Sequence, residues 1–329
     1  MVAARRAGSN SRAVLSDLPD ELIELYLNLP QDKPFTTRHA RETGARWADL
    51  RRLVDSGVLR HPVRGAYCNV TVPDDLDHRI EVLRLVVPAD CVVTDRTAGW
   101  LWGAEMILAP NDHLMTPKAS VFAPPGRRLR NELAASGERM LADLDIRSLK
   151  GLLVTTPLRT ACDLGRLLRR DQALAGMDSL AALGRFTVEE LCSEVLRFKG
   201  YRGVIQLRHL APLVDPMAGS PGESVLRLRW LDLGLPRPRC QVRIPAPNGG
   251  YYLLDMGLED RRFAAEYDGE EFHGEEHRED DEARREWARD VLDWTIVVAR
   301  RHNVFGRRQD IDRMLRNGHE EALRSLVPR

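Results

Sequence analysis

The stretch that decides the fold of the C-terminal third is RRFAAEYDGEEFHGEEHREDDEARREWARDVLDWTIVVAR, residues 261–300. Its apolar start predicts a strand that ends at EYD, and WTIVVAR, residues 294–300, predicts a second, buried strand. The charged segment between them, from about Arg278 to Leu292, predicts a helix. Strand, helix and strand in this order indicate an α/β unit.

The residues upstream extend this unit. Residues 223–233 predict an amphipathic helix, and residues 241–244 and 251–258 predict two strands. The NGG at residues 248–250 is typical of a hairpin turn, because it tolerates positive φ. The order predicted over residues 221–317 is therefore helix, three strands, helix and strand.

Three carboxylates of this unit are expected to converge. Glu266 and Asp268 are two residues apart on the third strand, so they point to the same face, and Asp255 lies on the neighbouring strand of the hairpin. Carboxylates held together repel one another unless a cation lies between them, and hard oxygen ligands suit Mg²⁺ or Mn²⁺. The sequence thus predicts an acidic centre of Asp255, Glu266 and Asp268, with Glu223 from the preceding helix as a further metal ligand.

The ordered elements, together with EYDGEEFH and RxWARDxxDWTIVV, resemble the PD-(D/E)XK nuclease superfamily. More narrowly, residues 222–308 are similar to small endonuclease domains related to very-short-patch-repair enzymes. The resemblance implies metal-dependent phosphodiester hydrolysis, in which Asp255 and Glu266 hold a metal that lowers the pKa of a bound water. His273 would then act as a general base or stabilise the leaving group. The predicted phosphate clamps are Arg284, Arg285 and Arg289.

One position departs from the superfamily pattern. Asp268 stands where a lysine would orient the water and stabilise transition-state charge. An alternative interpretation is a catalytically silent nuclease fold that is retained for DNA binding or protein interaction. The run HGEEHREDDEARRE, residues 273–286, is also consistent with a solvated helix face.

A second informative stretch is FTTRHARETGARWADLRRLVDSGVLRHPVRGAYC, residues 35–68. It predicts a helix to about Glu42, a turn at Gly44, a second helix over residues 46–56 and a short hairpin. This is the plan of a winged helix-turn-helix, whose second helix enters the major groove of double-stranded DNA while the wing touches phosphate. The predicted DNA contacts are Arg46, Arg51 and Arg52 on the helix and Arg60 and Arg64 on the wing.

The same stretch resembles the winged-helix domain that opens the AbiEi-type antitoxins of bacterial type IV toxin–antitoxin systems. The resemblance implies binding to the promoter of the protein's own operon, and it implies a cognate toxin as a possible partner. A protein-docking module with solvated arginines is the alternative. Trp47 is expected in the core rather than at a base, because it shares a helix face with Leu50 and Val54.

The middle of the chain predicts a mixed α+β domain. Its clearest segment is GLLVTTPLRTACDLGRLL, residues 151–168, which predicts a buried strand and a helix capped by Thr156. This segment is similar to the second part of AbiEi-like proteins, where an R-T-x-x-D sequence recurs. Arg159 and Asp163 are expected to form an intrahelical pair that fixes packing, rather than a catalytic pair.

Length and composition exclude fewer classes of function than the motifs do. A chain of 329 residues predicts two or three domains at roughly 100–200 residues each. Lys+Arg and Asp+Glu both total 49, the five cysteines show no paired spacing, and no apolar run approaches the roughly 18 residues of a membrane span. We expect a cytoplasmic protein with no membrane partner. The predicted parts are a flexible tail (1–17), a winged helix (18–72), an AbiEi-like middle domain (73–216) and an endonuclease-like domain (217–329).

These observations give an α/β multidomain fold class and three hypotheses of function. The first is a Mg²⁺- or Mn²⁺-dependent endonuclease that acts on double-stranded DNA. The second is an antitoxin-like transcriptional autoregulator whose nuclease fold is silent. The third, a protein scaffold, predicts little that can be tested.

Overall fold

A computed structural model describes residues 18–106, 116–123, 133–269, 275–305 and 309–326. Helices and three sheets alternate through these residues, which confirms the α/β multidomain fold class. The chain divides into two compact units, one of residues 1–104 and 108–160, the other of residues 105–107 and 161–329. The predicted tail, residues 1–17, lies outside the described residues. None of the described helices is both long enough and apolar enough to cross a membrane.

The first unit begins with a small antiparallel sheet and three helices. Thr36 caps the second helix by accepting a hydrogen bond from the His39 N–H, and Gly44 makes the next turn with a φ of +92°. The strands lie in the order β1-β3-β2, and Phe35, Leu50 and Leu53 are fully buried beneath them. The elements are α1 (Asp20–Leu27), β1 (Phe35–Thr36), α2 (Thr37–Glu42), α3 (Trp47–Asp55), β2 (Leu59–Val63) and β3 (Ala66–Asn69).

A five-stranded mixed sheet forms the rest of the first unit. Its order is β6-β5-β4-β8-β7, with β4 antiparallel to β5 and parallel to β8. The elements are α4 (Leu76–Arg84), β4 (Val92–Val93), α5 (Asp95–Trp102), β5 (Ala119–Ala123), β6 (Ala134–Glu138), β7 (Ile146–Leu149) and β8 (Leu152–Thr155).

The capped helix predicted after residue 155 is present as α6 (Pro157–Leu167). The Thr156 hydroxyl accepts a hydrogen bond from the Arg159 N–H at 3.2 Å, which confirms the predicted cap. Arg159 forms a buried ion pair with Asp145 at 2.7 Å, and Asp163 accepts from Arg166 at 2.9 Å. Arg159 and Asp163 are therefore both buried, and these contacts are not the intrahelical pair that was expected between them. A packing role rather than a catalytic one stays a prediction.

The second unit continues with helices and then a four-stranded sheet. The sheet order is β12-β11-β10-β9, with β11 and β12 parallel, so the predicted sequence of helix, three strands, helix and strand is observed. The final helix, α13, was not predicted. The elements are α7 (Arg170–Ala182), α8 (Val188–Glu194), α9 (Val204–Leu210), α10 (Pro221–Asp232), β9 (Arg239–Pro245), β10 (Tyr251–Leu258), β11 (Phe263–Asp268), α11 (Glu275–Asp290), β12 (Thr295–Arg300), α12 (Arg301–Val304) and α13 (Ile311–Ser325).

Apolar side chains cover both faces of this four-stranded sheet. On one face Trp230 of α10 stacks on Phe263 of β11, with ring centroids 4.7 Å apart, and Leu315 of α13 joins the same cluster. On the other face Ala288 of α11 packs with Leu254 of β10. The sheet is therefore enclosed by helices, and polar side chains at its centre are removed from water.

Candidate functional site

Helix α3 presents a basic surface in the first unit. Arg46 is its N-cap residue, and the Asp49 carboxylate accepts hydrogen bonds from the Arg46 backbone N–H at 2.9 Å and from its Nε at 3.2 Å. The side chains of Arg46 and Arg51 are 85% and 66% exposed, and Arg52 is also exposed. Solvent-exposed ion pairs such as that of Arg51 with Asp55, at 3.6 Å, are weak, so these guanidiniums are available to an anionic partner.

The expectation that Trp47 lies in the core is wrong. Trp47 is 58% exposed, whereas Leu50 and Leu53 are fully buried. Trp47 is the first residue of α3, and side chains on a helix point back toward its N-terminus, so the indole projects past the edge of the core. The Arg51 guanidinium lies 5.6 Å from its ring centroid. Sequence spacing alone missed this exposed aromatic residue.

The two predicted wing arginines lie in different surroundings from those on α3. Arg60 of β2 is half-buried, donates to the Val72 carbonyl at 2.5 Å and lies 4.0 Å from the Asp74 carboxylate. Arg64 lies in the turn between β2 and β3 and is half-buried. The structure therefore brings Arg46, Arg51 and Arg52 onto one exposed helix, while Arg60 makes contacts inside the unit.

The second unit brings three of the predicted carboxylates together. Register between β10 and β11 pairs Met256 with Ala265, which places Asp255 beside Glu266, and the Asp255 Oδ2 accepts from the Tyr267 N–H at 2.7 Å. Burial, and then the charges of Glu223 and Glu266, raise the pKa of Asp255 to about 8. Burial likewise raises the pKa of Glu223. A carboxyl that holds its proton near neutral pH is typical of a crowded acidic site.

Glu223 is held at this site by the start of α10. Ser220 caps the helix by accepting from the Glu223 N–H, and the Glu223 carboxylate accepts from the Gly219 N–H at 2.8 Å and from the Gln241 amide at 3.2 Å. Gln241 has a φ of +52°, a conformation that L residues rarely adopt and that is concentrated at functional sites. The amide contact was not predicted from the sequence.

Close packing fixes the position of this helix start. A Cβ atom on Gly222 would lie 2.2 Å from Cε1 of the Tyr267 ring. A side chain at Gly222 would therefore require the helix and the ring to separate. Because Glu223 is the next residue, its carboxylate depends on the same close approach.

Two of the arginines expected to clamp phosphate are paired with Glu266 instead. Arg285 is buried and donates from Nε to the Glu266 Oε2 at 2.7 Å. Arg284 Nη2 lies 3.1 Å from the other carboxylate oxygen, and its Nη1 donates to the Leu253 carbonyl at 2.6 Å. Arg289 is partly exposed and pairs with Glu282 at 3.1 Å. Glu266 is thus a buried carboxylate that two guanidiniums neutralise.

Of the other two predicted catalytic residues, Asp268 alone is among the described residues. Asp268 is half-buried, and its carboxylate lies 3.7 Å from Nε of Arg300 on β12. His273 lies outside the described residues, so its predicted catalytic role stays a prediction. The cations next to this acidic patch are arginines of α11 and β12, supplied by elements other than the strand that carries lysine in the superfamily pattern.

The binding of Mg²⁺ or Mn²⁺ at this patch stays a prediction. Carboxylate oxygens suit Mg²⁺ or Mn²⁺, but within residues 133–269 and the other described ranges no group of three His, Cys, Asp or Glu side chains has metal-binding geometry. The positive charge next to Glu266 comes from Arg284 and Arg285. A divalent ion would have to compete with these two guanidiniums.

Comparison with known proteins identifies the middle of the chain. Residues 88–213 match the model of the AbiEi antitoxin C-terminal domain. Two relatives come from Mycobacterium tuberculosis, one from strain CDC 1551 / Oshkosh and one from strain ATCC 25618 / H37Rv, and both are named only as uncharacterized proteins. Each is 32% identical over 225 residues, which cover 68% of this chain and 79% of the relative.

Proposed function

Because the chain belongs to the same family as these mycobacterial proteins and carries an AbiEi antitoxin C-terminal domain, we propose that it is an antitoxin-like transcriptional autoregulator. The match over residues 88–213 carries this proposal. In this role the protein binds double-stranded DNA at its own promoter, in the cytoplasm, and has a cognate toxin as its protein partner.

The N-terminal elements support the DNA-binding part of the proposal. Helix α2, the turn at Gly44, helix α3 and the β2–β3 hairpin follow one another as in a winged helix-turn-helix. Helix α3 would be the recognition helix. It carries an exposed indole and three exposed guanidiniums, a combination that suits stacking and phosphate contact. These side chains are Arg46, Trp47, Arg51 and Arg52.

The C-terminal elements support a silent nuclease fold. Their order and sheet topology resemble the PD-(D/E)XK plan, and Glu223, Asp255 and Glu266 lie together. However, Arg284 and Arg285 already neutralise Glu266, and Asp268 replaces the lysine. We propose that the guanidiniums stabilise the carboxylates in place of a metal, so that the unit keeps its fold without catalysing hydrolysis.

The proposal is tested by a gel-shift assay on the upstream region of the gene. Purified protein should retard this DNA at low salt, and Arg51→Ala and Arg64→Ala should weaken retardation by removing phosphate contacts. Arg239→Ala is the matched control, because Arg239 is exposed in the second unit and pairs with Glu259. If the wild-type protein does not retard this DNA at low salt, the proposal is contradicted.

A Mg²⁺- or Mn²⁺-dependent endonuclease is a second candidate function. The observation that favours it is the crowding of carboxyls that raises the pKa of Asp255 to about 8, since such crowding is common where a cation binds. Calorimetric titration of Mn²⁺ into wild type and Glu266→Ala tests binding directly. Cleavage of plasmid DNA that Asp255→Ala abolishes would support a nuclease. Equal behaviour of wild type and both variants would exclude it.

A further inference from the structure

A cavity of about 260 Å³ lies in the first unit, between the wing strand β2 and helices α4 and α5. Arg60, His61 and Pro62 form one side of it, and His78 and Trp100 form another. None of these residues belongs to the exposed surface of α3 or to the acidic site. The volume is close to the lower end of the range for small-ligand pockets.

Among the residues that line this cavity, three side-chain nitrogen atoms are buried and have no hydrogen-bond partner within the described parts of the chain. They are the Nε of Arg60 and the Nε2 atoms of His61 and His78. His78 is only 6% exposed. Leaving such groups unpaired is unfavourable, so three in residues that line one cavity indicate a shared acceptor.

The hairpin that carries Arg60 and His61 is irregular. The register between β2 and β3 shifts between Arg60 and Val63, so His61 and Pro62 leave the regular ladder. The His61 ring stacks on Tyr67, with centroids 4.1 Å apart, and its Nδ1 lies 2.9 Å from the Thr116 hydroxyl. When that hydroxyl donates to Nδ1, the ring proton of His61 is on Nε2, so Nε2 is a hydrogen-bond donor.

The charges around the cavity favour an anion. Asp74 is the acidic side chain in the lining, and Arg79 already holds its carboxylate with two hydrogen bonds, at 2.9 and 2.7 Å. Arg60 and Arg64 add positive charge. Burial and then Arg64 lower the pKa of His61 to about 4, and burial and then Arg60 lower the pKa of His78. Both rings are therefore neutral N–H donors near neutral pH.

We propose that this cavity binds a small organic carboxylate. The carboxylate accepts hydrogen bonds from Arg60 Nε and from the Nε2 atoms of His61 and His78, and the apolar body of the ligand packs against Trp100 and Pro62. The indole of Trp100 and the ring of Pro62 provide an apolar wall in the lining of the cavity, so a planar apolar ligand body gains contacts there that a bare inorganic anion does not.

Benzoate, titrated into the full-length protein by calorimetry, is the probe. We expect saturable binding with a dissociation constant of about 1–10 mM, as a ligand of this size allows. Benzamide, which has the same shape without the charge, should bind at least tenfold more weakly. Inorganic phosphate should also bind more weakly than benzoate, because it does not use the apolar wall.

Single substitutions test which residues donate hydrogen bonds to the bound carboxylate. Arg60→Met and His78→Gln should each weaken benzoate binding at least tenfold, whereas Arg84→Met, which removes an exposed cation of α4, should leave it unchanged. Thermal unfolding checks that each variant is folded. If Arg60→Met does not fold, the histidine resonances of the wild type decide, because saturating benzoate should raise the titration midpoints of His61 and His78. Absence of saturable binding, equal binding of benzamide, or tighter binding of phosphate would overturn the proposal.

Discussion

The arginines of α3 and those of α11 differ in burial: the first are exposed to solvent, and the second pair with a buried carboxylate. On α3 the guanidiniums of Arg46 and Arg51 are exposed and, within the described parts of the chain, pair with neighbours on their own helix. On α11 the guanidinium of Arg285 is buried, and together with Arg284 it neutralises Glu266 from another element. In the proposed function, the two arginines of α3 exchange their carboxylate partners for DNA phosphate, whereas the two arginines of α11 are needed to stabilise a buried carboxylate.

This difference follows from desolvation. An exposed ion pair contributes about 0–1 kcal/mol, so giving it up to a phosphate costs little. A buried carboxylate that loses its cation costs about 3–5 kcal/mol. A sequence rich in arginine therefore does not by itself identify a nucleic-acid surface, and burial must be known before a basic residue is assigned to DNA.

Replacing the buried arginine should have the largest effect. Arg285→Met keeps an unbranched aliphatic stem but leaves Glu266 without its closest donor, so we expect the free energy of unfolding to fall by about 3–5 kcal/mol. Chemical denaturation measures this change. Arg289→Met is the control on the same helix, and its partly exposed pair predicts a change within about 0.5 kcal/mol. Equal effects of the two variants would remove the distinction between buried and exposed arginines.

Reversing an exposed charge on α3 should change DNA binding and not stability. Arg51→Glu replaces an attractive charge by a repulsive one, so we expect about 2–3 kcal/mol weaker binding, roughly 30- to 150-fold, and a shallower dependence on salt. Fluorescence anisotropy with labelled promoter DNA measures both quantities. Arg239→Glu should leave affinity within about twofold. If both variants bind alike, α3 is not the DNA-binding surface.

Neutralising Asp255 should stabilise the protein, and more so at high pH. The pKa of the Asp255 carboxyl is about 3.9 in the unfolded chain and about 8 in the folded protein. The folded state therefore loses stability as pH rises between these two values. Asp255→Asn removes this loss. We expect a gain of about 1–3 kcal/mol at pH 8.5 and little at pH 4, measured by thermal unfolding. Asp260→Asn, at an exposed turn, should show no such pH dependence.

Removing the exposed indole should have the smallest effect of the four. Trp47→Ala should lower DNA affinity by about 1 kcal/mol, roughly fivefold, while the free energy of unfolding changes by less than about 0.5 kcal/mol. Anisotropy and chemical denaturation of the same variant separate the two outcomes. Leu196→Ala, another exposed apolar residue, is the control for affinity. If Trp47→Ala lowers the free energy of unfolding by several kcal/mol, Trp47 contributes to the core and not to an exposed surface.

Local patterns predicted much of the fold. The hairpin of β9 and β10, the cap at Thr156 and the strand that carries Glu266 depend on spacing and turn residues within a few positions of each other. The nearness of Asp255 to Glu266 also followed, because a tight hairpin fixes which residues of two strands are neighbours.

What the sequence could not supply was the choice of partners across the fold. The spacing on α3 placed Trp47 beside Leu50, but it does not show where the core ends. The pairing of Arg159 with Asp145 joins residues on different elements, as does that of Arg285 with Glu266. The cavity between β2, α4 and α5 depends on a register shift in a short hairpin, and no local residue pattern indicated that shift.

The close approach of Gly222 to Tyr267 has a genetic consequence. Every change in the first or second base of a glycine codon that yields another amino acid adds a Cβ atom, and here that atom would fall 2.2 Å from the ring. Missense mutations at this codon should therefore act alike, whatever the new residue, by shifting Glu223. In a saturation-mutagenesis screen, all substitutions at Gly222 should have a similarly large effect, whereas the effects of substitutions at the exposed positions of α3 should vary with the new residue.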